Sequence, residues 1–148
     1  MRADLVAYDK DGQLVVVVEV KNKTGTSRQW SVQMRRNIYA HGFWPKTRYF
    51  LLVLPDRFYL WKNAPNTPEV VEPDYELDAL VLLKPYYERS GLSPEDLSGA
   101  GFELLVASWL SELMQTGVAL SADQQSWLVD SGLLEAISGG RLISEAEI

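Results

Sequence analysis

Two acidic residues and a lysine near the start of the chain have the types and spacing for metal-dependent chemistry. Asp4 is followed, after fourteen residues, by Glu19-Val20-Lys21. Facing carboxylates repel each other unless a cation lies between them, and Mg²⁺ or Mn²⁺ prefers oxygen ligands. We therefore expect Asp4, Glu19 and the Val20 backbone carbonyl to be metal ligands. Lys21 is the expected catalytic lysine, which would orient or deprotonate an attacking water or stabilise charge on a phosphate. This set suits phosphodiester hydrolysis.

A β-hairpin is the element that must position these side chains. Residues 4–8 and 14–21 are β-rich runs, and Asp11-Gly12 between them favours a type I′ turn, which needs positive φ at both central positions. The second run holds an unbroken series of valines, which is typical of a central strand buried on both faces. The pattern predicts a tight hairpin at the centre of a sheet.

The register of this hairpin decides whether the acidic residues meet. With Asp11-Gly12 as a two-residue turn, Lys10 faces Gln13, and on this register Asp4 lies directly opposite Glu19. Strand alternation then puts Lys21 on the same face as Glu19. A one-residue bulge would spoil the pairing, so the site depends on the register.

Further elements follow from periodicity and from breaking residues. Ser27 or Thr26 is expected to cap a helix over about 28–40, with Gly42 as its stop. The stripe predicted to be buried on this helix contains Trp30, Met34, Ile38 and Gln33, and the polar side contains Arg28, Arg35 and Arg36. Beyond it we predict strands at 49–54 and 58–61, an irregular excursion at 63–76, a helical C-terminal part at 79–140 and a tail at 141–148 that frays.

Within the helical part, three segments are predicted. A first helix over 79–88 is kinked or shortened by Pro85, and an amphipathic helix covers 102–114. A last helix, opened by Ser121, runs over 123–137. No internal repeat or second-domain boundary is visible, so residues 1–148 are interpreted as one domain with its core at 2–62.

The acidic and lysine residues resemble a known signature. Asp4 followed by Glu19-Val20-Lys21 is similar to the D-X(n)-(E/D)-X-K motif of the PD-(D/E)XK nuclease-like superfamily, with Ala3 in place of the family's proline. The resemblance covers about residues 2–62. It implies an α/β, restriction endonuclease-like fold, in which helices flank a mixed central sheet, and Mg²⁺- or Mn²⁺-dependent hydrolysis of DNA.

The same resemblance suggests an auxiliary catalytic residue on the first helix. Gln33 resembles the glutamine that some members, including Holliday-junction resolvases, carry beside the metal site, and Gln29 is the other candidate. The family core also begins with a helix before the aspartate strand, often with another acidic residue. Here only three residues precede Asp4, so the 102–114 helix, with Glu103 and Glu112, is a candidate to pack in that place or to pair with a second protomer.

Composition limits the other kinds of chemistry. The chain has 148 residues, no cysteine and one histidine, which excludes disulfides, thiolate sites and sites that need several imidazoles. No apolar run has the length of a bilayer span, so we expect a cytoplasmic protein without a membrane partner. The net charge of −6 disfavours broad non-specific DNA binding. Phosphate contacts are nevertheless expected from three arginines on the first helix: Arg28, Arg35 and Arg36.

Three functions remain open from the residues. The first is a metal-dependent DNA endonuclease-like domain, and the second is a catalytically silent PD-(D/E)XK scaffold that serves as a binding or assembly module. The third is an accessory protein of a toxin–antitoxin system or a mobile element. The oligomeric state is open too, including a homodimer.

Overall fold

The sheet lies at the centre of the fold and is mixed. The computed structural model describes residues 2–117 and 122–148. Within them the strands are β1 (Arg2–Tyr8), β2 (Leu14–Val20), β3 (Tyr49–Val53), β4 (Arg57–Lys62), β5 (Tyr75–Asp78) and β6 (Arg141–Glu147). Their order is β5-β4-β3-β2-β1-β6, and the β2–β3 pair is parallel whereas the other neighbours are antiparallel.

Helices cover both faces of this sheet. They are α1 (Arg28–Ala40), α2 (Ala79–Leu82), α3 (Lys84–Ser90), α4 (Gly99–Thr116), α5 (Ala122–Asp130) and α6 (Leu133–Ile137), and a short 3₁₀ helix spans Pro94–Asp96. One apolar cluster joins the sheet to the helices from α2 onward, and the other joins it to α1. The predicted α/β class, with helices on a mixed central sheet, is confirmed. Among the described residues no helix has the length and apolar character needed to cross a bilayer.

The valine run behaves as predicted. Val15, Val16, Val17 and Val18 are all buried, and successive residues from Val16 to Val18 alternate between the two apolar clusters. A strand can bury both faces only when helices cover both sides of the sheet, which is the arrangement here. The central position of β2 follows from this sequence pattern.

The turn between β1 and β2 differs from the prediction. Asp9, rather than Lys10, faces Gln13: the Asp9 N–H donates to the Gln13 carbonyl at 2.8 Å. The Asp9 carboxylate accepts from the N–H groups of Asp11 and Gln13, both at 2.9 Å, and Gly12 takes a φ of 84°. The loop therefore has three residues, 10–12. The Asp9 carboxylate stabilises it by accepting two backbone N–H groups, and Gly12 adopts the left-handed conformation that the loop requires.

A bulge cancels the effect of the longer turn. The pairing shifts between Tyr8 and Ala7, and Val15 is the extra residue in β2. Beyond the bulge, Leu5 pairs with Val18, as the predicted register requires. The predicted turn is wrong, but the predicted register is confirmed where the strands approach the acidic residues.

Helix α1 has the predicted bounds, but its buried face differs in part from the predicted one. Ser27 caps it by accepting the N–H of Trp30 at 3.0 Å. Its buried residues are Ser31, Val32, Arg35 and Tyr39, whereas Trp30, Met34 and Ile38 are half-buried and Gln33 is exposed. Trp30, Met34 and Ile38 pack against the apolar cluster as predicted, but Gln33 does not, and Arg35 occupies the middle of the buried face.

Arg35 holds the irregular excursion against the sheet. The guanidinium is fully buried, donates to the carbonyls of Pro65 at 2.5 Å and Glu69 at 3.3 Å, and lies 4.4 Å from the centre of the Tyr39 ring. Buried guanidinium groups require such acceptors and aromatic faces. The predicted irregular excursion is confirmed up to residue 74, but Tyr75 already begins strand β5.

The C-terminal part contains two departures from the sequence-based elements. Pro85 lies in the first turn of α3 and separates it from α2, as predicted. The last helix is divided into α5 and α6, because Gly132 adopts a φ of 79° between them. Ser121, the predicted start of that helix, lies outside the described residues. The tail forms strand β6 rather than fraying, since β1 offers it a free edge.

Gly140 is the glycine on which the β6 pairing depends most. A Cβ atom at this position would lie 1.9 Å from the backbone carbonyl oxygen of Tyr8. We expect Gly140→Ala to lower the free energy of unfolding by about 3 kcal/mol or more, because backbone must shift to admit the methyl group. Gly99→Ala is the matched control, since a Cβ there meets nothing within 4 Å. Urea denaturation measures both, and equal stabilities would contradict the pairing of β6 with β1.

Candidate active site

Asp4 and Glu19 exchange hydrogen bonds across the open end of the hairpin. The Asp4 N–H donates to Oε2 of Glu19 at 2.9 Å, and the Val20 N–H donates to Oδ2 of Asp4 at 2.8 Å. Each carboxylate thus accepts a backbone donor of the opposite strand. The structure brings the two predicted acidic residues together in one patch.

Glu19 is buried although it is acidic. Its side chain is 7 % exposed. Burial raises the pKa of Glu19 from 4.5 to about 7, and the nearby charge of Asp4 adds to the increase. The Asp4 N–H and the charge of Lys21 act in the opposite direction. A carboxyl whose pKa is raised this far by burial and a neighbouring charge is a candidate functional group.

Val20 and Lys21 follow Glu19 at the end of β2. The Lys21 N–H donates to the Val53 carbonyl at 2.9 Å, so this residue continues the parallel pairing of β2 with β3. Lys21 is half-buried, and its charge lowers the pKa of Glu19. The N–H of Val20 points to Asp4. Because N–H and C=O of one strand residue point to the same side, the Val20 carbonyl is directed there as well.

Two further carboxylates approach Asp4 from C-terminal elements. One carboxylate oxygen from each of Asp4, Glu103 and Glu145 lies within 4.8 Å of the others. Burial raises the pKa of Glu103, and the charges of Asp4 and Glu145 raise it further. The Arg2 side chain contacts Glu145 at 3.1 Å and offsets part of this negative charge. Asp4 therefore belongs to two acidic groups, one with Glu19 and one with Glu103 and Glu145.

The sequence indicated one of these two residues and missed the other. Glu103 was expected only through the helix that the family resemblance requires, and α4 does bring it beside Asp4. Glu145 was missed, because it follows from the pairing of β6, in which it falls between Ala146 opposite Ala3 and Ser144 opposite Leu5. Its φ of 51° makes the strand irregular at this position. Glu112, the other acidic residue considered on α4, instead accepts from the Tyr86 hydroxyl.

Gln33 does not lie beside the carboxylates. It is exposed and is on the side of α1 opposite to Arg35 and Tyr39, which face the sheet. Gln29 is exposed as well. The prediction of Gln33 as an auxiliary catalytic residue is therefore not supported by its position, because the helix turns that side chain away from Glu19.

The three arginines expected to contact phosphates have different environments. Arg35 is inside the fold, so it cannot reach a phosphate, and its prediction is wrong. Arg28 is exposed but is paired with Glu72 at 2.8 Å. Arg36 is exposed, and its Nη1 donates to Asn37 Oδ1 at 3.2 Å. Among the three, Arg36 has no acidic partner in the described residues.

Two hydrogen bonds attach the loop that follows Lys21 to neighbouring parts of the fold. The Gly25 N–H donates to Oδ2 of Asp56 at 3.0 Å, which attaches the loop to the turn between β3 and β4. The Asn22 amide donates to the Leu97 carbonyl at 3.1 Å, just before α4 begins. These contacts fix the position of Lys21 relative to the helix that carries Glu103.

Comparisons with other proteins do not identify a family for this chain. No protein-family model matches the chain, and neither a curated protein nor a solved structure shows significant similarity to it.

Proposed function

We propose that this chain is a metal-dependent phosphodiesterase of the PD-(D/E)XK type that hydrolyses DNA. The observation that carries the proposal is the reciprocal pairing of Asp4 with Glu19 beside Lys21, at the end of a buried mixed sheet. Acidic groups and an amine at one sheet end are the components that in-line hydrolysis of a phosphodiester requires.

The donor set fits a hard divalent cation. Asp4 and Glu19, together with the Val20 carbonyl, would hold Mg²⁺ or Mn²⁺, whose preferred ligands are oxygens. The second group of Asp4, Glu103 and Glu145 offers three more oxygens around the shared Asp4. A cation bound in either group would supply a Lewis acid for a phosphate oxygen and would lower the pKa of water.

The residues of the chain have separate tasks in this proposal. Lys21, two residues after Glu19 in the chain, orients the attacking water or donates to the phosphate oxygen on which negative charge grows. Glu19 binds a proton near neutral pH because it is buried, and it must ionise before it can act as a ligand. The contacts of the following loop keep Lys21 in place.

A further acidic residue lies beside Asp4, as the family resemblance leads us to expect. In that family a helix and its acidic residue precede the aspartate strand, whereas here α4 and β6 follow it in sequence. Helix α4 nevertheless brings Glu103 to Asp4, and β6 pairs antiparallel with β1.

A silent scaffold is the second candidate, and one observation favours it. Asp4 and Glu19 each already accept a backbone N–H, and Arg2 pairs with Glu145. These contacts hold the end of the hairpin together without a cation. In a silent scaffold these carboxylates stabilise the fold, and the domain binds a partner without catalysing a reaction.

Lys21→Ala separates the two candidates. We expect it to lower Mn²⁺-dependent cleavage of plasmid and branched DNA by about 100-fold or more, because general acid–base and electrostatic contributions of one residue have that size. Lys84→Ala is the matched control, since Lys84 is exposed on α3 and pairs with Glu88. Equal inactivity of the wild type and both variants would favour the silent scaffold, and equal activity of all three would contradict the role of Lys21.

A further inference from the structure

The outer face of α1 is distinct from the rest of this acidic protein. No aspartate or glutamate occurs between Val20 and Pro55, although the chain as a whole has a net charge of −6. Within this stretch, four exposed polar residues share the solvent side of α1: Gln29, Gln33, Arg36 and Asn37. Their spacing of three or four residues puts them on one helix face. This face therefore presents amide and guanidinium groups without any carboxylate of its own.

The chemistry of these side chains matches base edges. Gln and Asn donate and accept in a bidentate manner to adenine, and Arg donates to guanine, in the major groove of DNA. Arg36 and Asn37 are already hydrogen-bonded to each other, which limits the rotamers that binding must select. A solvated helix that only covers a core usually mixes charges of both signs.

We propose that the outer face of α1 lies in the major groove of duplex DNA and contacts base edges through Gln29, Gln33, Arg36 and Asn37. The choice of DNA as partner rests on the proposed function. The helix has 13 residues and is thus about 20 Å long, and the major groove is about 12 Å wide, so α1 fits within it.

Helix α1 follows the candidate active site directly in the chain. The helix begins seven residues after Lys21, and the loop between them is fastened beside the carboxylates. Lys23, on this loop, is exposed and would meet a phosphate next to the groove. Phe43, three residues after the helix, is 97 % exposed and is suited to contact a thymine methyl group.

The irregular excursion limits the side from which DNA can approach the outer face of α1. It carries Glu69 and Glu72, both exposed, and Glu72 is paired with Arg28 at 2.8 Å. Arg28 is therefore neutralised and is not assigned to DNA. Glu69 accepts from the Thr67 hydroxyl at 2.5 Å. These carboxylates repel phosphates, so the duplex is expected to approach α1 from the side away from the excursion.

Fluorescence anisotropy with a labelled 20-base-pair duplex, without divalent metal, tests the inference. We expect Arg36→Ala to weaken binding about tenfold and to reduce the slope of log affinity against log salt by about 1 if it also neutralises a phosphate. We expect Gln29→Ala/Gln33→Ala to reduce discrimination between duplexes of different sequence. Lys84→Ala on α3 is the charge-matched control and leaves the affinity unchanged, because Lys84 is exposed and α3 packs on the sheet face opposite to α1.

Three results would overturn the inference. They are an unchanged affinity of both α1 variants, no binding of the wild type to duplex DNA, and equal affinity for an RNA duplex, whose deep, narrow major groove does not admit a helix. Hydrolysis of bis(p-nitrophenyl) phosphate by the wild type tests the proposed function separately, since this small diester has no groove. Duplex binding through α1 without diester hydrolysis would refute the proposed function and retain the inference.

Discussion

Asp4→Asn is expected to reduce metal-dependent hydrolysis by at least about 100-fold, because it removes the one charge shared by both acidic groups. Asparagine is nearly isosteric, and its side-chain oxygen still accepts the N–H of Val20. The fold at the end of the hairpin should therefore remain intact. The loss is measured as the initial rate of diester hydrolysis across a series of Mn²⁺ concentrations.

Variants of the other carboxylates determine which group holds the cation. If Asp4 and Glu19 are the ligands, Glu19→Gln should match the loss in Asp4→Asn, and Glu103→Gln should retain most activity. If Asp4, Glu103 and Glu145 are the ligands, the opposite order is expected. Full activity in Asp4→Asn, with an unchanged Mn²⁺ requirement, would refute both arrangements and with them the metal-dependent mechanism.

The hairpin could be predicted because its signals are local. The valine run predicts that β2 lies at the centre of the sheet, and Asp9, Asp11 and Gly12 predict a turn. The type of turn was not predictable from Asp11-Gly12 alone, because the carboxylate of Asp9 binds two N–H groups and stabilises a longer loop. The bulge at Val15 shifts the pairing by one residue and offsets the longer turn. The predicted register is therefore correct near the site although the predicted turn is not.

The missed features depend on partners distant in sequence. Strand β6 has few apolar residues and is an edge strand, so the local sequence does not predict it. It forms because the fold brings the two ends of the chain together and β6 pairs with β1. Glu145 enters the site through this pairing. Arg35 is buried because the carbonyls of Glu69 and Pro65 accept from its guanidinium, and these lie 34 and 30 residues away in sequence. Helical periodicity alone assigns an arginine to the solvent.

Glu19 should make the stability of the metal-free protein fall as the pH rises from about 4.5 to about 7. Below this range the carboxyl is protonated in both the folded and the unfolded chain. Within it the unfolded chain ionises, whereas the folded protein keeps the proton because the pKa of Glu19 is raised to about 7. Unfolding then releases a proton, so increasing pH favours the unfolded state. The side chain is 7 % exposed, and the shift corresponds to a loss of about 3 kcal/mol.

Glu19→Gln isolates this contribution. The amide oxygen can still accept the Asp4 N–H, but it does not titrate, so the variant should lack this part of the pH dependence. Urea denaturation at pH 4.5 and pH 8, in the presence of a chelator, gives the free energy of unfolding of both proteins. The difference between the two proteins should change by about 3 kcal/mol in favour of glutamine at the higher pH. Carboxyl groups that do not interact with Glu19 titrate alike in both proteins and cancel in the difference.

Mn²⁺ should reverse the effect in the wild type alone. A cation binds the ionised carboxylate, and stabilises the folded protein according to its concentration and affinity. At pH 8 we therefore expect added Mn²⁺ to restore stability to the wild type and to have little effect on Glu19→Gln, if Glu19 is a ligand. The same Mn²⁺ stabilisation in both proteins would instead assign the cation to Asp4, Glu103 and Glu145. Parallel pH profiles in the chelator would mean that burial does not hold a proton on Glu19, and the carboxylate would then be ionised before any cation binds.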